Sequence, residues 1–264
     1  MITITIPALV ALAALIPAAI LAFRRQGGRD SLFWASQAIA FLGPAALAAS
    51  LVANGWNTAL SADLWIMIAV TMLLYAVVSA LDRAAWRLSP LLLPYLVLLG
   101  LIALACSRPG TPDEAISTAW LDLHIVVSVA TIGLLTLAAV SALGSFLQAR
   151  ALKLKKPNRL TRILPPMADS ERLSERLLAL SELVLGGGAV TGMATQYLES
   201  GSLLKLDHKI LLTLLAFVVI GLLLVGRRVC GVRGQIAARV ILLSYLLVIL
   251  GYFGVKFVHQ VLLG

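Results

Sequence analysis

Stretches of roughly twenty apolar residues follow one another along the whole chain, separated by short polar segments. A helix needs about that length to cross the hydrocarbon core of a bilayer. Inside hydrocarbon each backbone N–H and C=O must be paired within the protein, so an apolar span of this length folds as a helix. Composition offers no soluble alternative. Of the 264 residues 61% are hydrophobic and only 12% charged, too few polar side chains to clothe a water-exposed surface. The spans read as 3–23, 31–53, 62–80, 88–106, 119–148, 174–198, 204–226 and 236–262. The predicted fold is all-α, a single transmembrane domain over residues 1–264. It is a polytopic bundle of eight transmembrane helices with one large basic loop at about 149–173.

Charge sets the expected orientation. Arg24, Arg25 and Arg29 follow the first span, Arg83 and Arg87 the third, and Arg227, Arg228, Arg233 and Arg239 the seventh. After the fifth come Arg150, Lys153, Lys155, Lys156, Arg159 and Arg162, then Pro165-Pro166, Arg172 and Arg176. The remaining loops are nearly free of lysine and arginine. Positive residues mark the cytoplasmic side, so both termini are expected on the outer (periplasmic) side of a bacterial inner (plasma) membrane crossed many times. Topology and lipid headgroups thus account for the net charge of +9, and no nucleic acid partner is expected.

Other features fit this frame. Cys106 and Cys230 fall at opposite faces and in no CxxC or CxxCH motif, which excludes a redox dithiol within the chain. The amino-terminal apolar run has its positive residues after it, at Arg24-Arg25, and reads as a retained helix, not a cleaved signal. Trp56, Trp65 and Trp120 near the outer boundary, and Trp34 and Trp86 near the inner, are expected to be interfacial anchors.

The three histidines, His124, His208 and His259, all fall toward the outer side. Neutral imidazole is a ligand for haem iron and transition metals, and an ionisable group at membrane depth needs a partner or water. His124 opens the fifth span, on a face that continues through Ser128, Thr131 and Leu135 and should turn inward. Its plainer alternative is an interfacial histidine bonded to water or Asp122. His208 lies in Leu206-Asp207-His208-Lys209 at the start of the seventh span, where Asp207 can cap the helix. The plainer alternative there is a polar helix start without a ligand role.

Tyr245, Tyr252, Lys256 and His259 share one face of the eighth span, which would let Lys256 meet an anionic group. Snorkelling of Lys256 and interfacial anchoring by the tyrosines is the competing expectation. Glu182, inside the sixth span, is expected to pair with a basic residue at the inner rim. Gly186-Gly187-Gly188 and Gly192 beyond it admit another helix or a flat ligand, with Gly188 and Gly192 at GxxxG spacing. Ser170, Glu171 and Ser174 offer polar caps for the start of that span. No nucleophile–base pair, Walker loop, HExxH or carboxylate cluster is present, so a binding role is favoured over an enzyme.

Several of these segments together resemble the cytochrome c assembly family of membrane proteins, in its CcsA-like, HemX/YpjD-type branch. The resemblance covers about residues 119–264 and is carried by Leu123-His124, Leu164-Pro165-Pro166-Met167, Leu206-Asp207-His208-Lys209 and Gly251-Tyr252-Phe253-Gly254-Val255-Lys256-Phe257. The first four spans agree in spacing and hydropathy. It implies a cell inner membrane protein of haem handling or cytochrome c-type biogenesis. In larger members, outer-side histidines ligate haem beside a tryptophan-rich segment ending in a Trp-Asp-Pro-Lys-like motif. His124 falls at such a histidine, and Asp207 and Lys209 fall on the Asp and Lys of that ending. The chain lacks the tryptophan-rich segment, His208 stands where the family has proline, and His259 comes too early after Gly254 to match the final histidine.

The resemblance and the residues give a first expectation of heme binding: b-type haem (haem b) bound or presented near the periplasmic face. His124 and His208 would be axial ligands to the iron, with Lys256, beside Tyr252, neutralising propionates and Lys205 or Lys209 assisting. His259, Asp207 and Lys209 are secondary candidates. Haem, the lipid bilayer and other cytochrome c maturation membrane subunits are the partners implied. The alternative is a non-haem membrane scaffold or transporter-associated accessory subunit, in which the histidines are dispensable. A third possibility retains a haem-dependent ligase acting with partner subunits.

Overall fold

A computed structural model describes residues 2–24, 28–53, 59–106, 119–201 and 208–258. In chain order the helices are α1 (Ile2–Arg24), α2 (Ser31–Ala53), α3 (Leu60–Leu81), α4 (Ser89–Ala105), α5 (Ala119–Leu154), α6 (Arg159–Ile163), α7 (Met167–Ser200), α8 (His208–Val229), α9 (Gly234–Ile249) and α10 (Val255–Phe257). A 3₁₀ turn (Ala85–Leu88) leads into α4, and a π-helical turn (Leu250–Gly254) joins α9 to α10. Among the described residues there is no strand, and eight of the helices are long and apolar enough to cross a membrane.

The eight spans read from the sequence all correspond to helices, which overrun them where charge is dense. α5 continues to Leu154 and α7 begins at Met167, so residues 149–173 are mainly helix ends plus the short α6. Asn158 starts α6 by a capping box: the Thr161 N–H donates to Asn158 Oδ1 at 2.8 Å, and the Asn158 N–H to Thr161 Oγ1 at 3.0 Å. The start of α7 departs from expectation. Ser170 and Ser174 lie inside the helix, where the Ser174 hydroxyl donates to Glu171 O at 2.9 Å. Pro166 immediately precedes the first turn and makes no side-chain cap. Its fixed φ suits the entry to a helix, which starts the span a turn earlier than the polar residues suggest.

α5 occupies the centre of the bundle. From Thr131 to Ala142 every residue is buried, and the helix packs on α3, α4, α7 and α9, most extensively along α7. Between helices in lipid there is little hydrophobic driving force, so close packing and polar contacts must hold them. Thr131 and Thr136 return their hydroxyls to Val127 O at 2.8 Å and Ile132 O at 2.7 Å, which satisfies them without a neighbour. Ser141 instead donates across to Ser170 O on α7 at 2.8 Å. On the other side of the molecule α1 and α2 meet where a Cβ on Gly43 would lie 2.6 Å from Ala14 Cβ, a small-residue contact that lets the two backbones approach.

Trp65 is a correction to the anchoring expectation. It is only 2% exposed, one of the largest side chains in the core, with its ring edge against Gly100 of α4. Trp120 is 46% exposed and free to lie at an interface, whereas Trp56 falls outside the described residues.

Arginine side chains stitch the basic end. Arg29 donates to Ser79 O at 2.5 Å and Ala80 O at 3.1 Å, taking up free carbonyls in the last turn of α3. Arg227, with its side chain 4% exposed, lies 3.1 Å from Glu175 and 3.9 Å from Glu171. Glu171 also accepts the Gly234 N–H at 2.6 Å. The buried guanidinium thereby joins the end of α8 to the start of α7, and the Glu171 carboxylate joins α7 to the start of α9. Replacing both carboxylates (Glu171→Gln with Glu175→Gln) should cost about 3 kcal/mol, because the cation is left buried without a counter-charge. Arg227→Met should cost less, since the half-exposed Glu175 can rehydrate. Denaturation of the detergent-solubilised variants checks that order.

Candidate functional site

Two polar groups stand at the end of the bundle opposite the dense basic segments. The first is built on the α5–α7 pair. His124 lies in the second turn of α5, half-buried, with Nδ1 3.1 Å from Gly188 O and 3.2 Å from Thr191 Oγ1 on α7. The Thr191 hydroxyl itself reaches Gly188 O at 3.1 Å. A carbonyl can only accept, so Nδ1 carries the proton and donates to Gly188 O. Nε2 then keeps its lone pair, and no described residue hydrogen-bonds it.

The ring fits because α7 has no side chain beneath it. A Cβ on Gly192 would lie 2.9 Å from His124 Cε1, 3.3 Å from Nδ1 and 3.6 Å from Nε2. The GxxxG pair thus serves a side chain as much as a helix: Gly188 supplies the carbonyl and Gly192 the space. His124 turns inward on the face of Thr131 and Leu135, 2% and 0% exposed, as the helical spacing implied. Its partners are Gly188 and Thr191, and Asp122 points from an exposed position. The sequence reading missed Thr191, whose signal was its place three residues after Gly188.

The second group joins α3 to α10. Lys256 makes a short ion pair with Asp63 in the first turn of α3, and its Nζ lies 5.3 Å from the Tyr252 ring centroid, within cation–π range. The polar stripe of the last span does point into the bundle, but its parts reach different partners. Tyr245, before the π-helical turn, hydrogen-bonds Tyr95 of α4, and its hydroxyl oxygen lies 3.3 Å from that of Thr136 on α5. Lys256, after it, reaches α3. Asp63 is the one acidic residue in the first turn of α3, and the sequence alone carried no sign of its pairing with Lys256.

The remaining candidates divide. His208 opens α8 and Lys209 follows it, but only their helical backbone is described. Asp207, His259 and Lys205 lie outside the described residues. Glu182 does not pair with the inner-rim cation as expected, because Arg227 is taken by Glu171 and Glu175. It faces Gly221 of α8 instead, with Oε2 buried and without a hydrogen-bond partner among the described residues.

Among the described residues no three His, Cys, Asp or Glu side chains gather as a metal-holding group. Haem iron makes a smaller demand, since the porphyrin supplies four ligands and the protein only one or two. An imidazole oriented through Nδ1, with Nε2 free, is the arrangement that metal-bound histidines share.

The glycines give a direct check. Gly192→Ala should cost about 1–3 kcal/mol in the detergent-solubilised protein, as the methyl drives the imidazole off Gly188. Gly187→Ala, where an added Cβ meets nothing within 4 Å, should stay within about 0.5 kcal/mol. Asp63 and Lys256 should show coupling of about 1 kcal/mol or more in a double-mutant cycle with Asp63→Asn and Lys256→Met.

Compared with known proteins, residues 8–263 match the family model described as cytochrome C assembly protein. A protein of Azospirillum brasilense, described as an uncharacterized 28.8 kDa protein in the nifR3-like 5′ region, is 53% identical over 263 residues, which cover 97% of each chain. No solved structure matches the chain.

Proposed function

The chain belongs to the cytochrome c assembly protein family, and from that membership we propose that it binds or presents b-type haem at the His124 end of the bundle. The observation that carries this reading is the imidazole of His124, fixed by Gly188 and cradled by Gly192, with Nε2 unengaged among the described residues. In a bilayer such a group is costly to keep unless it has a partner to meet.

His124, at the start of α5, and His208, at the start of α8, would hold the haem iron. Haem would supply an iron that takes imidazole nitrogen, and the protein's part would be to hold the imidazoles in the correct tautomer. Gly188 would do this for His124 by accepting a hydrogen bond from its Nδ1–H. Lys256, which pairs with Asp63, would help to neutralise a propionate by a charge-assisted bond. Tyr252 would remain beside the ammonium. The function proposed is haem handling in cytochrome c biogenesis, without catalysis by side chains of this chain. By the positive-inside rule the site faces the periplasm, in a bacterial inner membrane. Partner maturation subunits would supply or receive the haem.

Reduced-minus-oxidised spectra of the protein purified from haem-replete cells test this. The expected result is a b-type spectrum that His124→Ala and His208→Ala each weaken. Gly192→Ala should perturb the same bands, since it displaces the ligand without removing it. Absence of haem from the wild type, or spectra unchanged in both histidine variants, would instead favour a non-haem scaffold or transporter-associated accessory subunit.

A further inference from the structure

Glu182 stands where a carboxylate has nothing to compensate its charge. It lies in the seam between α7 and α8, with Oε2 buried and without a hydrogen-bond partner among the described residues. A Cβ on Gly221 of α8 would lie 3.3 Å from its Oε1, so the facing glycine makes room for the carboxyl. Around the seam Leu183, Val218, Leu222 and Val225 are exposed and apolar. In a membrane-spanning bundle that outer side meets hydrocarbon, not water.

The ionisable groups on the helices that pack there are all distant or engaged. On α7 none other occurs between Arg176 and Tyr197, on α5 none between His124 and Arg150, and on α8 none between Lys209 and Arg227. Six residues of helix, or about 9 Å, separate Glu182 from the exposed Arg176, and Gly221 from Arg227. Arg227 is held by Glu171 and Glu175. An ionised Glu182 would thus have neither donor nor counter-charge, whereas the neutral acid loses far less on leaving water. A metal cation is a poorer occupant, because it needs several oxygen ligands. The adjacent Ser181 hydroxyl is committed to Leu178 O at 2.8 Å.

We propose that Glu182 is a proton-binding site within the membrane, a carboxylic acid that keeps its proton at neutral pH and exchanges it with water. On release the O–H bond breaks, the electron pair stays on the carboxylate, and the proton passes to a water molecule. The seam suits such exchange: α7 packs mainly on α5 and α8 mainly on α9, so their mutual contact is the lighter one. The inference is independent of the haem reading, since neither haem nor a histidine enters it.

Carbodiimides add to protonated carboxyls and not to ionised ones. The full chain in liposomes is treated with lipid-soluble dicyclohexylcarbodiimide, and the adduct is located by peptide mass spectrometry. At about pH 6.5 an ordinary exposed glutamate is protonated only about one part in a hundred. The Glu182 peptide should nevertheless be labelled there, and labelling should fall by about tenfold or more at about pH 9.5. A water-soluble carbodiimide should leave it unmodified. Glu182→Gln, which has the shape of the neutral acid, should lose the adduct. The peptide assignment in the wild type stands alone if that variant does not purify as a monodisperse protein. No adduct on Glu182 at the lower pH, or one that the water-soluble reagent forms equally, would overturn the proposal. Protection from labelling by sodium at constant pH would also overturn it, in favour of a metal cation.

Discussion

The packing of α5 along α7 is the contact on which the other features rest. α5 is buried on all sides over its middle turns, and α7 provides its longest neighbour. In lipid such a pair cannot be held by exclusion of water from apolar surface, so it depends on fit and on a few polar bonds. Those bonds are spread along its length. Ser141 reaches Ser170 toward the basic end, and His124 reaches Gly188 and Thr191 toward the other. The candidate ligand is therefore also part of the helix interface. Its orientation follows from the packing and needs no separate loop to position it.

The same economy governs the charges. Arg227 with Glu171 and Glu175 closes one end of the bundle, while Lys256 with Asp63 joins helices at the other. Each pair links elements far apart in sequence, and each places its ions close to a helix terminus. There the long side chains can reach the boundary of the hydrocarbon, where the cost of burying charge is lowest.

Much of this was legible in the sequence because the bilayer simplifies the problem. Apolar length fixed the eight helices, and helical spacing correctly turned His124 inward with Thr131 and Leu135. What escaped were features decided by contacts between helices. Trp65 is an aromatic of the interfacial kind, yet its ring packs against Gly100 of α4, so it became core. The serines near the start of α7 look like caps, yet Pro166 opens the helix before them. Asp63 as a partner of Lys256, and Thr191 beside His124, join residues 193 and 67 positions apart. Periodicity within one span carries no information about such pairs. The histidine's glycine cradle lay in between: GxxxG spacing signals close approach, but not whether a helix or a side chain fills the space.

The π-helical turn at Leu250–Gly254 has a mechanical consequence. Such a turn accommodates an extra residue relative to an α-helix. Each residue of an α-helix advances the azimuth by about 100°. Were this turn to relax into regular α-helix, the segment beyond it would swivel by roughly that angle. Lys256 would then leave Asp63 while Tyr245, on the near side, kept its place against Tyr95. The ion pair and the widened turn consequently hold each other in register, so that the last helix behaves as two segments with a ratchet between them.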